Sequence, residues 1–200
     1  MALCVTSTPS QESRCLNSIY TTRKLTSRLL KKPVAKKGHT HYVKDEPFVQ
    51  QGYVGKYLGV VESGYFKYVT LTSSGDEAVV GFAFEGEIVA DYYNSFNGLP
   101  SEISIKAGSE AEVSQIRTVE ARELFYSVYH DCLSSINGAL FSEIYARYLE
   151  LHRKTPTERY LDLIKLYPGL LATVSLRDIA SYLLITPTYL SRIRKNLAKI

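Results

Sequence analysis

Seven side chains near the C-terminal end have the types and spacing that grip a nucleic acid: Thr186, Thr188, Tyr189, Arg192, Arg194, Lys195 and Lys199. Phosphates need cations, and base edges need hydrogen-bond donors. At 3.6 residues per turn, Thr188, Arg192, Lys195 and Lys199 fall on one stripe, with Tyr189 and Arg194 flanking it. Thr188 and Arg192 are the candidates for base edges, and Tyr189 for packing on a thymine methyl. Thr186, Arg194, Lys195 and Lys199 are the candidates for phosphates. A second set is His39 and His41 with Glu46, two imidazoles and a carboxylate that could ligate a metal. No nucleophile with a base and an orienting group is readable elsewhere, so an enzyme is not expected.

Two short helices joined by a tight turn must position the basic stripe. Ser175 is a good N-cap, with Asp178 three residues on where a capping-box acid would stand. Ile179, Ala180 and Leu183 then share a face. Thr186 is a second N-cap, and Pro187 takes the first helical position, where its missing N–H costs nothing. Leu190, Ile193 and Leu197 form the buried stripe of the second helix. Upstream, Thr155, Pro156 and Glu158 spell a capping box for a helix running to about Tyr167. That helix buries Tyr160, Leu161 and Ile164, with Leu163 a further candidate, Pro168-Gly169 ends it, and a loop leads through Val174.

Before that boundary the period is also helical, over Ala121–His130 and Asp131–Arg153. The longer segment has an apolar stripe of Leu133, Ile136, Leu140, Ile144, Tyr148 and Leu151, widened by Phe141 and Tyr145. A wetter face carries Glu143, Arg147, Glu150 and Arg153. From Phe48 to Ile116 the period is two, with glycine punctuation. Expected strands are Pro47–Gln50, Tyr57–Glu62, Tyr65–Leu71, Glu77–Phe84, Glu87–Val89, Ile103–Lys106 and Glu112–Ile116, with a hairpin turn at Ser73–Asp76. Many short strands at such spacing form an antiparallel roll or barrel. Residues 1–22 are Ser/Thr-rich and expected to be poorly ordered, a short helix is expected from Leu25 to Lys31, and Lys31, Lys32, Lys36 and Lys37 form a basic run.

The 200 residues carry a net charge of +4, spread unevenly. Residues 1–45 hold nine basic and two acidic groups, residues 75–125 three and ten, and residues 175–200 five and one. A basic end on an acidic body suits a duplex reader with a separate regulatory domain, whose acidic surface keeps its distance from phosphate. No apolar run approaches the ~20 residues that span a bilayer, and the N-terminus lacks a secretion pattern. Cys4, Cys15 and Cys132 are too few and too scattered for a disulfide frame or a metal cluster, which fits a reducing cytoplasm.

The stretch Ile179–Leu197 resembles the C-terminal helix-turn-helix of Crp/Fnr-type bacterial transcription regulators, most of all a short-tailed Bacteroidetes variety. Ala180, Leu183, Ile185, Thr186, Leu190, Ser191 and Arg192 stand at the family's pattern positions. Leu184 replaces the usual turn glycine, and Pro187-Thr188 replaces a common base-reading Arg-Glu, so the family's usual operator does not carry over. Gly52, Val60–Gly64 and Gly81–Glu87 likewise resemble the family's cyclic-nucleotide-binding β-roll. The resemblance covers about residues 44–200. It implies double-stranded DNA and a second copy as partners, with RNA polymerase a further one. It also implies a wing after the recognition helix, for which these 200 residues leave no room. DNA affinity is then expected to be lower or to depend on the basic N-terminal arm.

The His-x-His and Glu are similar to the first motif of cupin enzymes, yet Pro33 stands where that motif has glycine, and no third histidine follows on a strand. No metal is assigned. In cyclic-nucleotide binders a Gly-Glu and an Arg-Ser/Thr pair hold ribose and phosphate. Here Ala90-Asp91 and Pro100-Ser101-Glu102 occupy those places, and no arginine lies between Lys67 and Arg117. A phosphate there would meet Glu87, Asp91 and Glu102 without a guanidinium, so cAMP is not expected in the usual mode and no cofactor is assigned. Candidate effector-pocket residues are Val89, Asp91, Tyr92, Tyr93, Phe96 and Ser104, with plain core packing as the alternative for the aromatics.

The expected architecture is α+β. A basic arm spans 1–43, an antiparallel β-roll 44–119, dimerisation helices 120–153, and an all-α helix-turn-helix domain 154–200. The expected function is a cytoplasmic, homodimeric, sequence-specific DNA-binding regulator. The alternative is a small-ligand sensor whose C-terminal helices dock a protein.

Overall fold

The computed structural model of the chain describes residues 38–128 and 130–198. Among them, strands form two four-stranded antiparallel sheets. One runs in the order β1 (His39–Tyr42), β8 (Ala111–Arg117), β3 (Tyr57–Ser63), β6 (Ile88–Val89). The other runs β2 (Pro47–Val49), β7 (Ser104–Ala107), β4 (Tyr65–Leu71), β5 (Glu77–Phe84). Their inner faces meet in a core of Tyr42, Phe48, Val61, Phe66, Val89, Ile105 and Val113. The β3–β4 turn requires glycine: Gly64 has φ +76°, and a Cβ there would stand 2.3 Å from the Glu110 carbonyl oxygen.

The strands read from period two all form, shifted by a residue or so at their ends. β1 forms where the sequence reading places no strand. It is short and polar, and its pairing with β8, from His39 opposite Ser114 to Tyr42 opposite Ala111, creates it. The sheet thus takes residues that the sequence reading gave to the N-terminal arm. The expected helix at 25–31, the poorly ordered 1–22, the lysines of the basic run and Lys199 all lie outside the described residues.

Helix α1 (Tyr92–Asn97) links β6 to β7. After β8 come α2 (Thr118–Val128), α3 (His130–Arg153), α4 (Pro156–Leu166), α5 (Leu170–Thr173), α6 (Leu176–Tyr182) and α7 (Pro187–Leu197). α1 was not anticipated, and α5 replaces an expected loop. Both are too short to show a helical period. The capping signals act as written: Thr155 Oγ1 accepts from Glu158 N at 3.3 Å while Thr155 N donates to Glu158 Oε2 at 2.8 Å. Those hydrogen bonds hold the Glu158 carboxyl below its ordinary pKa.

A second core joins the roll to the C-terminal helices: Tyr65, Val69, Val79 and Phe82 are continuous with Tyr160, Leu170, Ile179, Leu183, Leu190 and Ile193. Val79 N donates to Ser181 Oγ at 2.9 Å, and Tyr182 lies 5.1 Å from Phe82. The basic end is therefore seated directly on the body. An apolar outer face on β5, with Val79 and Phe82 in the shared core, drives that seating, and the opposite net charges of the two parts do not oppose it.

Burial pushes the phenols of Tyr42 and Tyr65 up to about 12. In the unfolded chain they ionise near 10. The stability held by the neutral phenols is therefore intact below pH ~10 and is lost as the pH rises towards the folded value. Tm is expected to fall across that interval, with tyrosinate absorbance rising together with unfolding.

Candidate nucleic-acid interface and ligand cavity

α7 is amphipathic in the sense the sequence requires. Leu190 and Ile193 are buried, while Thr188, Tyr189, Arg192 and Lys195 are exposed. Thr188, Arg192 and Lys195 follow one another at four and three residues and share a ridge, with Tyr189 beside it. Arg194 is half-buried and sits about a third of a turn off that ridge. Thr186 caps α7, its Oγ1 accepting from Tyr189 N at 3.2 Å, so the hydroxyl proton stays available to a phosphate oxygen.

The turn between α6 and α7 keeps the left-handed shape that glycine usually provides. Leu184 adopts φ +57° and is 66% exposed. A branched side chain there costs about 1–2 kcal/mol, and glycine's looser unfolded chain offsets part of the relief. Leu184→Gly is expected to raise stability by about 0.5–1 kcal/mol in urea denaturation.

The joint between α3 and α4 is tied by two cations. Lys154 Nζ reaches Glu150 Oε1 and Asp162 Oδ2, both at 2.7 Å. Burial works against the charged ammonium, but these hydrogen bonds outweigh it and raise its pKa. Arg159 donates to the carbonyls of Leu151 and Lys154 and, at 2.9 Å, to that of Leu183 at the end of α6. One guanidinium thus bridges the end of the long helix and the helix-turn-helix. Nothing in the sequence pattern singles it out, because its partners are backbone carbonyls.

A cavity of about 310 Å³ opens between the roll and α3. Leu58, Val80, Ile88, Phe125 and Leu140 give it apolar walls, Tyr68 and Tyr92 add phenols, and Glu143 and Arg147 face it from α3. Burial pushes the Tyr92 phenol up. Of the six residues expected to line an effector pocket, the structure places only Tyr92 there. Val89 is fully buried between the sheets, and Asp91 accepts from the Asn94 side-chain amide at 3.0 Å within its own turn. Tyr93 is 69% exposed, Phe96 packs on Tyr92 and Phe125, and Ser104 Oγ accepts from Gln51 N in the turn after β2. Spacing cannot foresee α1, whose turn sends successive aromatics in different directions.

The cyclic-phosphate cradle does not fit. Lys106, the cation of that stretch, pairs with Glu77. Ser101 is buried with its Oγ donating to Ile103 O, and Glu87 accepts from Phe84 N at 3.0 Å. The metal candidates fare no better. His39 Nδ1 lies 3.2 Å from Ser114 Oγ, and Glu46 accepts from Val43 N at 2.9 Å. Among the described residues no group of three His, Cys, Asp or Glu could hold a metal ion.

The largest departure concerns α3. Glu143, Arg147 and Glu150, expected on its wet face, are half-buried and turned towards the protein. The Arg147 guanidinium carbon stands 4.1 Å from the centroid of the Tyr182 ring in α6. The exposed side is apolar: Phe141 at 70%, Ile144 at 69%, Tyr145 at 53% and Tyr148 at 57%. A Glu and an Arg four residues apart read as a solvated pair. The seated helix-turn-helix offers that face the Tyr182 ring, which local spacing does not foretell.

Comparison with known proteins follows the same lines. Residues 39–127 match the family of cyclic nucleotide-binding domains. No curated protein matches the chain. Among solved structures, FixK2 from Bradyrhizobium japonicum is similar with a TM-score of 0.66 and 22% identity, over 81% of this chain and 84% of that one. A putative transcriptional regulator of the Crp/Fnr family from Eubacterium rectale has a TM-score of 0.64 at 14% identity, over 84% and 82%. The c-di-GMP-responsive global regulator CLP of Xanthomonas campestris has a TM-score of 0.58 at 16% identity, over 85% and 90%. Residues 39–127 thus match the cyclic nucleotide-binding family's pattern, and the chain has the fold of the Crp/Fnr regulators.

Proposed function

We propose that the protein is a transcription regulator that binds double-stranded DNA as a homodimer and is not switched by cAMP held in the usual cradle. The observation that carries this reading is the exposed ridge Thr188–Arg192–Lys195 on a capped helix whose other face is core. A duplex groove offers that ridge phosphates on its flanks and acceptors on its floor. The exposed apolar side of α3 supports pairing with a second copy, since its residues recur at three and four. Two recognition helices would then enter successive major grooves ~34 Å apart on an imperfect palindrome. The working division is a regulatory roll, a dimerisation helix pair and a reading domain. Similar folds belong to a c-di-GMP-responsive regulator and to CprK solved with OCPA, so effectors other than cAMP have precedent on this architecture. No helix among the described residues is long and apolar enough to cross a membrane.

Gel-shift titration against a selected operator and random duplex, at two salt concentrations, tests the assignment. Arg192→Ala is expected to weaken specific binding by about 1–3 kcal/mol and to relax sequence choice. Lys195→Ala is expected to weaken all duplexes alike and to lower the salt slope by about 1. Identical behaviour of the two variants contradicts the assignment of roles. Absence of any salt-dependent affinity favours the protein-docking sensor instead.

A further inference from the structure

We infer that the cavity between the roll and α3 takes a zwitterion with an apolar body, of the class of the larger apolar α-amino acids. The inference rests on the regulator reading only for what occupancy does to DNA binding. The volume, about 310 Å³, corresponds to roughly ten waters at liquid density, or one aromatic or branched side chain with its head group. Most of the wall is hydrocarbon, which selects an apolar body. The charged residues that line it are Glu143 and Arg147, of opposite sign and one helical turn apart on α3, and both also border the neighbouring recess under Tyr182.

Charge decides the head group. A simple acid would gain Arg147 but face Glu143. A simple amine would gain Glu143 but face Arg147. A cyclic nucleotide would bring a phosphate to a wall that already holds a carboxylate. A head bearing an ammonium and a carboxylate on adjacent positions satisfies both. Arg147 keeps donors for it, because its contact with the Tyr182 ring supplies no acceptor oxygen. A carboxylate accepts at about four lone-pair sites, so Glu143 can take an ammonium in addition to its protein contacts. The same guanidinium touches α6, so the ligand carboxylate and Tyr182 draw on one group. Occupancy is thereby felt at the helix-turn-helix.

Calorimetric titration of the full-length protein with L-phenylalanine, 3-phenylpropanoate and phenethylamine isolates each charge on a constant ring. L-phenylalanine is expected to bind at least about tenfold tighter than either analogue. Arg147→Gln should erase its advantage over phenethylamine, and Glu143→Gln its advantage over 3-phenylpropanoate. Gly81→Leu, whose Cβ meets the Tyr68 ring at an ordinary 3.4 Å, fills the cavity and should abolish binding of all three with the fold retained by circular dichroism. Equal affinity for the three compounds, tighter binding of either single-charge analogue, or no heat from any at millimolar concentration overturns the inference. Salt-dependent DNA binding of the unliganded protein, measured alongside, reports on the regulator reading independently.

Discussion

Phe141→Glu is expected to convert a dimer into a monomer at micromolar concentration and to weaken operator binding by about a hundredfold or more. Phe141 is 70% exposed in the single chain, its ring stacked on that of Tyr145 at 6.0 Å, on the outer side of α3 with Ile144 and Tyr148. In a paired coil it would lie in the seam, where a carboxylate is desolvated against apolar neighbours. Its loss from the monomer is cheap, because little there touches it, so circular dichroism and roll stability should stay at wild-type values. DNA affinity falls because two half-sites bound by one tethered pair gain 10²–10⁴ over either alone. Sedimentation equilibrium and gel-shift titration read the two effects separately. A variant that remains dimeric places the interface elsewhere.

Leu190→Ala is expected to cost about 2–5 kcal/mol and to abolish DNA binding by a different route. Leu190 is fully buried where α7 meets Ile179, Ala180 and Leu183. Truncation leaves a void that two short helices, joined by a turn already strained at Leu184, have little means to close. Hydrogen exchange is expected to rise through α6 and α7 well before the β-sheets open, because the roll keeps its own core between the sheets. Arg192→Ala, exposed on the same helix, should leave thermal stability within about 0.5 kcal/mol of wild type. If both variants lose DNA binding but only Leu190→Ala loses protection, the ridge acts by contact and the stripe by packing. Unchanged stability in Leu190→Ala would contradict the seating of α7.

Strand positions, helix caps and the polarity of α7 were legible from residue order. They depend on neighbours within about one turn or one hairpin: Thr155 with Glu158, Thr186 with Tyr189, an alternation of period two. The mismatch at the cyclic-phosphate cradle was legible too, since a missing guanidinium is a matter of composition. Leu184 shows the limit of such reading. Its left-handed turn could be suspected from a missing glycine, but whether the chain would strain or reshape was settled by Arg159 and the surrounding core.

What residue order could not supply is which face of an amphipathic helix looks inward when both have claims. Glu143, Arg147 and Glu150 suggest water, and Phe141, Ile144 and Tyr148 suggest protein. The folded chain reverses this because β5 and α6, distant in sequence, and the adjoining α4 converge on the polar side, where the Tyr182 ring meets Arg147 and Lys154 pairs with Glu150. The same convergence encloses the cavity, whose walls come from segments separated by up to some ninety residues, such as Leu58 and Arg147. Local sequence encodes periodicity and capping, which are short-range free energies. Facing, seating and cavity chemistry arise from long-range burial, and that exists only once the sheets and helices have met.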